Sequence, residues 1–312
     1  MLRADELRKA CEATIRDFEG HPDVLSIGIG EVFSGGQPAR LHGLIFVVEE
    51  KDQAMGPILP RSYTFNGVEI PVDVQCVPKK EFQLKNNFID GSDLLVSGQV
   101  GRQGTLGLVV REAGGQGRTF GITNAHVVTR PSENHMGDPI DAVIGGATRR
   151  IGRVAYHSDY QTGRRNRVDL ALVALNASGV AQARLHRIQT INGSVKGSGR
   201  LSFSRFGGAL RTHTYSGSAG LARHVVNCGM LSEHPAVVLE DDGVPMEFGR
   251  TFIFSRLSGA VRDGHSGSVL VRQGHGGLIL DGLLAGGGNR GAFVFSFSDV
   301  LADLAAAGIE LA

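Results

Sequence analysis

The stretch Asp263-Gly264-His265-Ser266-Gly267-Ser268-Val269-Leu270-Val271 places a serine directly before a glycine, two residues after another glycine and just ahead of an apolar strand. Because glycine adopts backbone conformations that other residues avoid, a ligand can approach the chain closely at this point. Ser266 can therefore lie at a loop tip with backbone N–H groups turned toward it, as an acyl-transfer nucleophile requires. By itself a Gly-x-Ser-Gly sequence also occurs in ordinary turns, so its interpretation depends on partner residues.

Two further motifs hold the residues that such a serine needs. Thr123-Asn124-Ala125-His126-Val127-Val128 follows a short apolar run, and Val168-Asp169-Leu170-Ala171-Leu172-Val173 places an acid at the start of an apolar strand. A serine becomes an effective nucleophile when a neutral imidazole accepts its proton and a carboxylate orients the ring. The sequence therefore predicts His126, Asp169 and Ser266 as catalytic residues. Taken singly, each has a plainer interpretation: a core histidine, a strand-start cap and a turn serine.

In this order, the motifs Thr-Asn-Ala-His, Asp-Leu-Ala-Leu and Gly-x-Ser-Gly resemble those of the chymotrypsin-like (trypsin-like) serine peptidases. Subtilisins and α/β-hydrolases carry the same residue types in other orders. The resemblance covers about Ser97 to Ile309 and implies peptide hydrolysis by a His-Asp-Ser triad.

Three other segments resemble the cytosolic branch of that family that includes the plant Narrow Leaf proteins. The stretch from Phe206-Gly207-Gly208 to Arg211-Thr212-His213-Thr214-Tyr215-Ser216-Gly217 looks like a weakened form of that branch's Gly-Arg-Thr-Thr-Gly sequence. The opening His21–Gly30 and the ending from Phe297–Leu301 to Gly308–Leu311 are similar to its first segment and its closing helix.

The resemblance implies a mainly β fold with two antiparallel six-stranded barrels, a small N-terminal α+β domain and a C-terminal helix. The expected domains are residues 1–85, which regulate or bind a partner, residues 86–185 with His126 and Asp169, and residues 186–312 with Ser266. Many short apolar strands and 45 glycines also favour antiparallel barrels over a helical fold. The site would lie in the cleft between the barrels.

Further roles follow from the resemblance alone. The N–H groups of Gly264 and Ser266 would form the oxyanion hole. Ala260, Ala285, Gly286 and Gly287 would line the substrate pocket, and because they are small and uncharged we expect cleavage after small or medium apolar residues. His265 replaces the aspartate that most members carry before the nucleophile, which argues against activation through a new N-terminus.

Composition limits the partners, the cysteine chemistry and the location that can be expected for this chain. The chain has 312 residues, enough for two or three units, and a formal net charge of +1, which indicates no nucleic-acid or membrane partner. Its three cysteines, Cys11, Cys76 and Cys228, have no spacing for zinc or for a disulfide framework. The start lacks the apolar core of a signal peptide, so a cytoplasmic location is expected. We expect no cofactor and no metal; self-association is left open.

The first eighty residues predict one helix over a small antiparallel sheet. Apolar residues recur at helical spacing over residues 5–18, and strands are expected at Val24–Phe33 and Leu41–Glu49. Asn66-Gly67 lies between two β-rich stretches and predicts a hairpin with a type I′ turn. Polar residues 79–87 would connect this part to the first barrel.

Three features that could indicate a binding site are better explained by ordinary structure. Arg164-Arg165-Asn166-Arg167 predicts a solvated loop rather than a surface for an acidic partner. Glu240-Asp241-Asp242-Gly243 predicts a hairpin turn rather than a calcium site. His213, His224, His234 and His275 show no metal-ligand spacing. Two other functions remain open for the fold: a catalytically silent protein-binding module, and an esterase-like serine hydrolase.

Overall fold

Strands dominate the computed structural model, which confirms the mainly β prediction. The structure describes residues 3–34, 37–49, 59–84, 95–97, 100–113, 117–144, 147–185, 188–190, 195–198, 201, 208–216, 220–262 and 264–311. In these residues the strands form sheets of eleven, eight and two strands. No helix in this part of the chain is long and apolar enough to cross a membrane.

The N-terminal part contains the predicted helix and hairpin. Its elements are α1 Ala4–Asp17, β1 Val24–Ser34, β2 Gln37–Val48, β3 Ser62–Phe65, β4 Val68–Cys76 and a 3₁₀ turn at Lys79–Glu81. Helix α1 buries Leu7 and Cys11 against Ile27, Ile29 and Phe46 of the sheet. Burial raises the pKa of the Cys11 thiol to about 12, so this thiol stays protonated and acts as an apolar side chain.

The hairpin turn has the geometry that its sequence requires. Asn66 and Gly67 have φ angles of 50° and 76°, the left-handed values of both central residues in a type I′ turn. The expectation of a wholly antiparallel sheet is wrong in one pair, because β4 runs parallel to β2. Parallel neighbours cannot be joined by a two-residue hairpin turn, and β3 lies between β2 and β4 along the chain.

The next unit is the eight-stranded sheet. Its elements are β5 Leu95–Ser97, β6 Gln103–Thr105, β7 Leu108–Arg111, β8 Thr119–Thr123, α2 Ala125–Val128, β9 Pro139–Ile144, β10 Ala147–His157, β11 Ala171–Leu175, α3 Ala177–Leu185 and β12 Gln189–Thr190. The strand order is β12-β7-β8-β11-β10-β9-β5-β6. This differs from the expected six-stranded barrel, because eight strands take part and the described strands leave β12 and β6 as the two ends.

The last unit belongs to the eleven-stranded sheet. Its elements are β13 Val195–Ser198, β14 Gly208–Ser216, β15 Gly220–His234, β16 Val237–Asp241, β17 Val244–Phe248, β18 Thr251–Leu257, β19 Val269–Gly274, β20 Gly277–Gly287, β21 Ala292–Ser296 and α4 Phe297–Ala306. The order is β14-β19-β20-β21-β18-β15-β1-β2-β4-β3, with β13 beside β20 and β14 also paired to β15. The two-stranded sheet is the hairpin β16–β17, as the Asp-Gly sequence predicts.

The eight-stranded sheet and the last unit each have a core of their own and meet at a further, shared apolar cluster. A single apolar cluster joins Leu108 and Leu172 of the eight-stranded sheet to Phe248, Phe293 and Phe295 of the last unit. Burying large apolar side chains between two sheets stabilises their contact without requiring specific polar partners. The boundary residues 85, 86 and 186 lie outside the described residues. The domain limits stay predictions.

The N-terminal sheet continues into the last unit. Strand β1 pairs antiparallel with β15, with Ile29 opposite Glu233 and Gly30 opposite Ser232. Beside this junction the buried His234 ring lies 2.7 Å from Ser26 Oγ and 2.9 Å from Ser232 Oγ. Full burial lowers the pKa of His234 to about 3. The imidazole is therefore neutral, and it links the two parts of the sheet through hydrogen bonds to two hydroxyl groups.

The Narrow Leaf-like central stretch is described only in part. Residues 211–216 lie on β14, whereas residues 206, 207 and 217 lie outside the described residues. The described residues contain no disulfide, and Cys11 and Cys228 are buried.

The folded state resists protonation of His234, so stability should depend on pH through this ring. Its folded pKa of about 3 lies below the ordinary 6.5, so the unfolded chain binds one more proton here between those values. Unfolding free energy should therefore fall as pH decreases below about 6.5, by about 1.4 kcal/mol per pH unit from this group. Urea unfolding of wild type and His234→Gln across this range measures the effect. Equal pH slopes in the two proteins would contradict it.

Candidate active site

The structure brings His126 and Asp169 into direct contact. His126 Nδ1 is hydrogen-bonded to Asp169 Oδ2, and the His126 backbone N–H donates to Asp169 Oδ1 at 3.0 Å. Both side chains are fully buried. The carboxylate thus holds the residue at two points, and with Nδ1 bonded to Asp169 the other ring nitrogen, Nε2, is the one left to accept a proton.

Local sequence fixes where these two residues lie. Strand β8 ends at Thr123, and Asn124 begins the single helical turn α2 that carries His126. Asp169 lies just before β11, which pairs with β8. The Asn124 side-chain amide donates to the Asp169 carbonyl oxygen at 2.6 Å. The Asn of Thr-Asn-Ala-His therefore connects the two motifs.

The loop of Ser266 is fixed against the eight-stranded sheet. The Thr105 backbone N–H donates to Ser266 O at 2.6 Å, and Thr105 Oγ1 donates to Gly264 O at 2.7 Å. Gly264 and Gly267 have φ angles of 82° and 91°, which lie in the left-handed region favoured by glycine. Both glycines thus adopt the unusual backbone conformations predicted for them, and the loop reaches across to the sheet that carries His126 and Asp169.

Close packing at Gly267 brings the loop next to the histidine motif. A Cβ at Gly267 would lie 2.2 Å from Thr105 O and 2.7 Å from Thr123 Oγ1. Thr123 is three residues before His126. The structure therefore brings the Ser266 loop to the end of the strand that presents the imidazole.

The Ser266 hydroxyl has a different partner in this structure. Ser266 Oγ donates to Ala285 O at 2.7 Å, whereas His126 Nε2 has no hydrogen-bond partner among the described residues. A hydroxyl donates one hydrogen bond, and Ser266 donates its bond to Ala285 O rather than to the imidazole. His126, Asp169 and Ser266 are all completely inaccessible to solvent. In this structure the three side chains are therefore closed off from solvent.

Several buried polar atoms around the site have no partner in the described part of the chain. They are Gln103 Oε1, Thr123 Oγ1, Asn124 Oδ1, His126 Nε2 and Ser268 Oγ. Most buried polar groups in proteins are hydrogen-bonded, because an unpaired one costs about 1–3 kcal/mol. Four of these five atoms belong to the motifs that contain His126 and Ser266.

A buried ion pair that the sequence analysis missed supports the histidine turn. The Arg102 guanidinium donates to His126 O at 3.1 Å, to Thr129 O at 3.2 Å and to Asp241 Oδ2 at 3.0 Å. Burial lowers the pKa of Arg102, but the nearby carboxylates of Asp241 and Asp242 outweigh it, so the net shift is upward. The hairpin β16–β17 is therefore attached directly to α2.

Tyr160 completes this network. Its hydroxyl donates to Asp241 Oδ2 at 2.7 Å. Burial, followed by the negative charges of Asp169 and Asp241, holds the pKa of Tyr160 well above its usual value, so it remains a donor. Nothing in the local sequence marks Arg102 or Tyr160, whose roles depend on contacts with distant residues; a turn such as Asp241-Asp242 is normally solvated.

His265 shapes the approach to Ser266. Its ring is buried, Nδ1 accepts a hydrogen bond from the Arg262 N–H at 3.2 Å, and its own N–H donates to Arg262 O at 3.1 Å. The histidine that replaces the usual aspartate thus closes a tight turn before the serine. Asp263, between them, lies outside the described residues. The oxyanion role of the Gly264 and Ser266 N–H groups stays a prediction.

The predicted pocket residues come from two neighbouring segments. Ala285, Gly286 and Gly287 are buried at the end of β20, and Ala260 is half-buried beside Val261, whose N–H donates to Gly288 O at 2.8 Å. Ala285 contacts Ser266 directly through its carbonyl oxygen. Ala285 therefore lies next to Ser266, whereas the pocket role of the four residues stays a prediction.

Most of the features for which the sequence predicts an ordinary structural role have that role in the structure. Asp242 and Gly243 have the positive φ angles of a type I′ turn, and no group of three or more metal-ligating side chains occurs in the described residues. Asn166 is an exception within its arginine-rich loop: it is buried, and its side chain donates to Glu247 O at 3.0 Å. The loop before Asp169 is therefore attached to β17. The side chains of His213 and His224 lie outside the described residues.

Comparison with known proteins gives weak structural likenesses. No protein-family model matches the chain, and no curated protein matches it. The solved structures that it is similar to include an inactive mutant of the murine norovirus NS6 protease (TM-score 0.30, 12% identity, 57% of this chain and 83% of that chain). Another is the Rv3671c protease in its inactive form (TM-score 0.35, 18% identity, 64% and 87%). Likenesses at these TM-scores support no functional conclusion. A proposal about function must therefore rest on the geometry of the site.

Gly267→Ala should destabilise the protein strongly, because the new Cβ would meet Thr105 O and the backbone would be strained at φ 91°. We expect a loss of about 2–4 kcal/mol in unfolding free energy, measured by urea denaturation. Gly276→Ala is the matched control: its φ is 83° but its Cβ would meet nothing within 4 Å, so only about 1 kcal/mol should be lost. Equal losses would show that the close contact is unimportant.

Proposed function

We propose that the chain is a serine endopeptidase of chymotrypsin-like fold in which His126, Asp169 and Ser266 form the catalytic triad. The observation that carries the proposal is the buried His126–Asp169 pair, in which His126 Nε2 has no partner among the described residues. The loop of Ser266 supports it, because that loop packs against Thr105 and Thr123 of the same sheet. The circuit of pairings through β14, β15, β18, β21, β20 and β19 is consistent with one barrel of that fold. Membership of the Narrow Leaf-like cytosolic branch belongs to the same proposal.

In the proposed reaction, Ser266 Oγ bonds to the carbonyl carbon of the scissile peptide while its proton passes to His126 Nε2. The carbonyl π electrons move onto the oxygen, giving a tetrahedral intermediate. When the C=O bond re-forms, the C–N bond breaks and His126 protonates the leaving amine. Water then attacks the acyl-enzyme ester by the same proton transfers, releasing a carboxylic acid and restoring Ser266.

The protein would stabilise both charges that develop. Asp169 accepts hydrogen bonds from His126 at two points and so favours the imidazolium. The N–H groups of Gly264 and Ser266 would bind the oxyanion, each contributing about 3 kcal/mol as in related hydrolases. The reaction also requires Ser266 Oγ to leave Ala285 O and turn toward His126, which a rotation about its Cα–Cβ bond begins.

Two other functions remain candidates. The hydroxyl directed to Ala285 O and the complete burial of all three residues would also suit a protein-binding module that no longer catalyses. The same triad chemistry would hydrolyse activated esters in an esterase-like enzyme. No cofactor takes part in any of the three, and we place the protein in the cytoplasm.

Labelling with a fluorophosphonate probe tests the nucleophile. Wild type should be labelled and should cleave casein, and Ser266→Ala should lose both, with peptide turnover reduced about 10⁶-fold. Asp169→Asn should reduce turnover about 10⁴-fold, because the ring loses its orienting charge. Asp5→Asn, an exposed acid on α1, is the control and should act like wild type. Labelling of Ser266→Ala equal to wild type would exclude the assignment, and ester turnover without protein cleavage would favour the esterase.

The pocket residues predict the cleavage preference. Because Ala260, Ala285, Gly286 and Gly287 offer no charge, peptides with small or medium apolar residues before the scissile bond should be cleaved fastest. A peptide library analysed by mass spectrometry measures this preference. A strict requirement for Arg or Lys would contradict it.

A further inference from the structure

The chain's own segment Phe82–Leu84 lies along the end of β20. Leu84 forms an antiparallel bridge with Gly286, and Gln83 forms a parallel bridge with Glu240 of β16. Backbone hydrogen bonds run from the Glu240 N–H to Phe82 O at 2.8 Å and from the Leu84 N–H to Glu240 O at 3.0 Å. The segment is therefore a short added strand between the hairpin β16–β17 and β20.

This added strand lies next to the nucleophile's partner. Gly286 directly follows Ala285, whose carbonyl oxygen accepts the hydrogen bond from Ser266 Oγ. Leu84 therefore covers the backbone edge of β20 at Gly286, the residue next to the one that binds Ser266 Oγ. An extended peptide that used this edge would need the position that Leu84 holds.

The fit between the two strands depends on glycine. A Cβ at Gly286 would lie 2.0 Å from Gln83 O, and one at Gly288 would lie 2.4 Å from Glu81 Cδ. At Gly286 a larger residue would clash with the backbone of the bound segment, and at Gly288 it would displace the Glu81 side chain. The small residues predicted to line a substrate pocket are therefore in contact with the chain itself.

The segment is anchored by one charge and two apolar side chains. Glu81 Oε2 accepts hydrogen bonds from the backbone N–H groups of Arg290 and Gly291, both at 2.8 Å. The Phe82 ring lies 4.7 Å from the Phe293 ring, and Leu84 is buried in the shared core. Glu81 thus fixes one end, while the apolar contacts hold the strand on β20.

We propose that Phe82–Leu84 is an internal blocking strand, which occupies the peptide-binding edge of β20 and must leave it before a peptide chain can reach Ser266. The inference rests on the proposed peptidase function. It accounts for the closed state, because a strand added to a sheet edge excludes any second strand from the same backbone groups. It also identifies the substrate class that competes with the segment: an extended polypeptide that pairs with β20 through its backbone.

Weakening the anchor should open the site. Glu81→Gln removes the charge that binds two N–H groups, and Phe82→Ala removes the ring contact with Phe293. Each variant of the full chain should be labelled by a fluorophosphonate probe about tenfold faster than wild type or more, because labelling follows the population of the open state. Lys80→Ala, an exposed neighbour, is the control and should match wild type.

A reversible cross-link tests the same inference without relying on weakened packing. Gln83→Cys and Glu240→Cys together place two thiols on bridged residues, within the usual range for a disulfide. The hairpin is itself attached to α2 through Arg102, so the oxidised form should hold the segment in place. Labelling should be at least about tenfold slower when oxidised and should recover on reduction; the two single-cysteine variants should not respond.

The outcomes separate the two proposals. Equal labelling of oxidised and reduced double-cysteine protein would overturn the blocking strand while leaving Ser266 as the nucleophile. No faster labelling in folded Glu81→Gln and Phe82→Ala, as judged by their unfolding transitions, would also overturn it. Absence of labelling in wild type and in every released variant would remove the reactive serine, and with it both proposals.

Discussion

The buried contact between His126 and Asp169 is the constraint on which the rest of the site depends. A carboxylate with no solvent access is costly unless donors surround it, and here the two principal donors are the imidazole and the backbone N–H of the same residue. That requirement sets where α2 begins and how β8 and β11 are aligned. Asn124, which binds the Asp169 carbonyl oxygen, holds the same two segments together from the backbone side.

The serine belongs to a different sheet, so its position depends on how closely the two units pack. Thr105 supplies this link, since it binds two carbonyl oxygens of the Ser266 loop. Glycines at 104, 107 and 267 let the two backbones approach, because a Cβ at any of them would lie within 3 Å of a neighbouring atom. The Ser266 loop is thus held at its carbonyl groups, while the hydroxyl can change partner by rotation.

Much of this arrangement follows from local sequence. The amphipathic pattern of residues 5–18, the Asn66-Gly67 turn and the Asp242-Gly243 turn each fix their own conformation through nearby residues, and the structure has all three. The contact between His126 and Asp169 could be predicted from their motifs. Arg102 with Asp241, and Phe82–Leu84 with Gly286, could not, because their partners are more than a hundred residues away and neither side carries a local signal. The pairing of β1 with β15 also joins residues that are far apart along the chain, so no local motif predicts it.

That pairing has a consequence for how the chain can be shortened. Strand β1 covers one edge of β15, and its Ser26 lies against the buried ring of His234. A fragment that began after Leu84 would leave the β15 backbone at Ser232 and Glu233 without the strand that β1 supplies, and an unpaired strand edge can pair with another molecule. Strand β1 therefore shields this part of β15 from pairing between molecules.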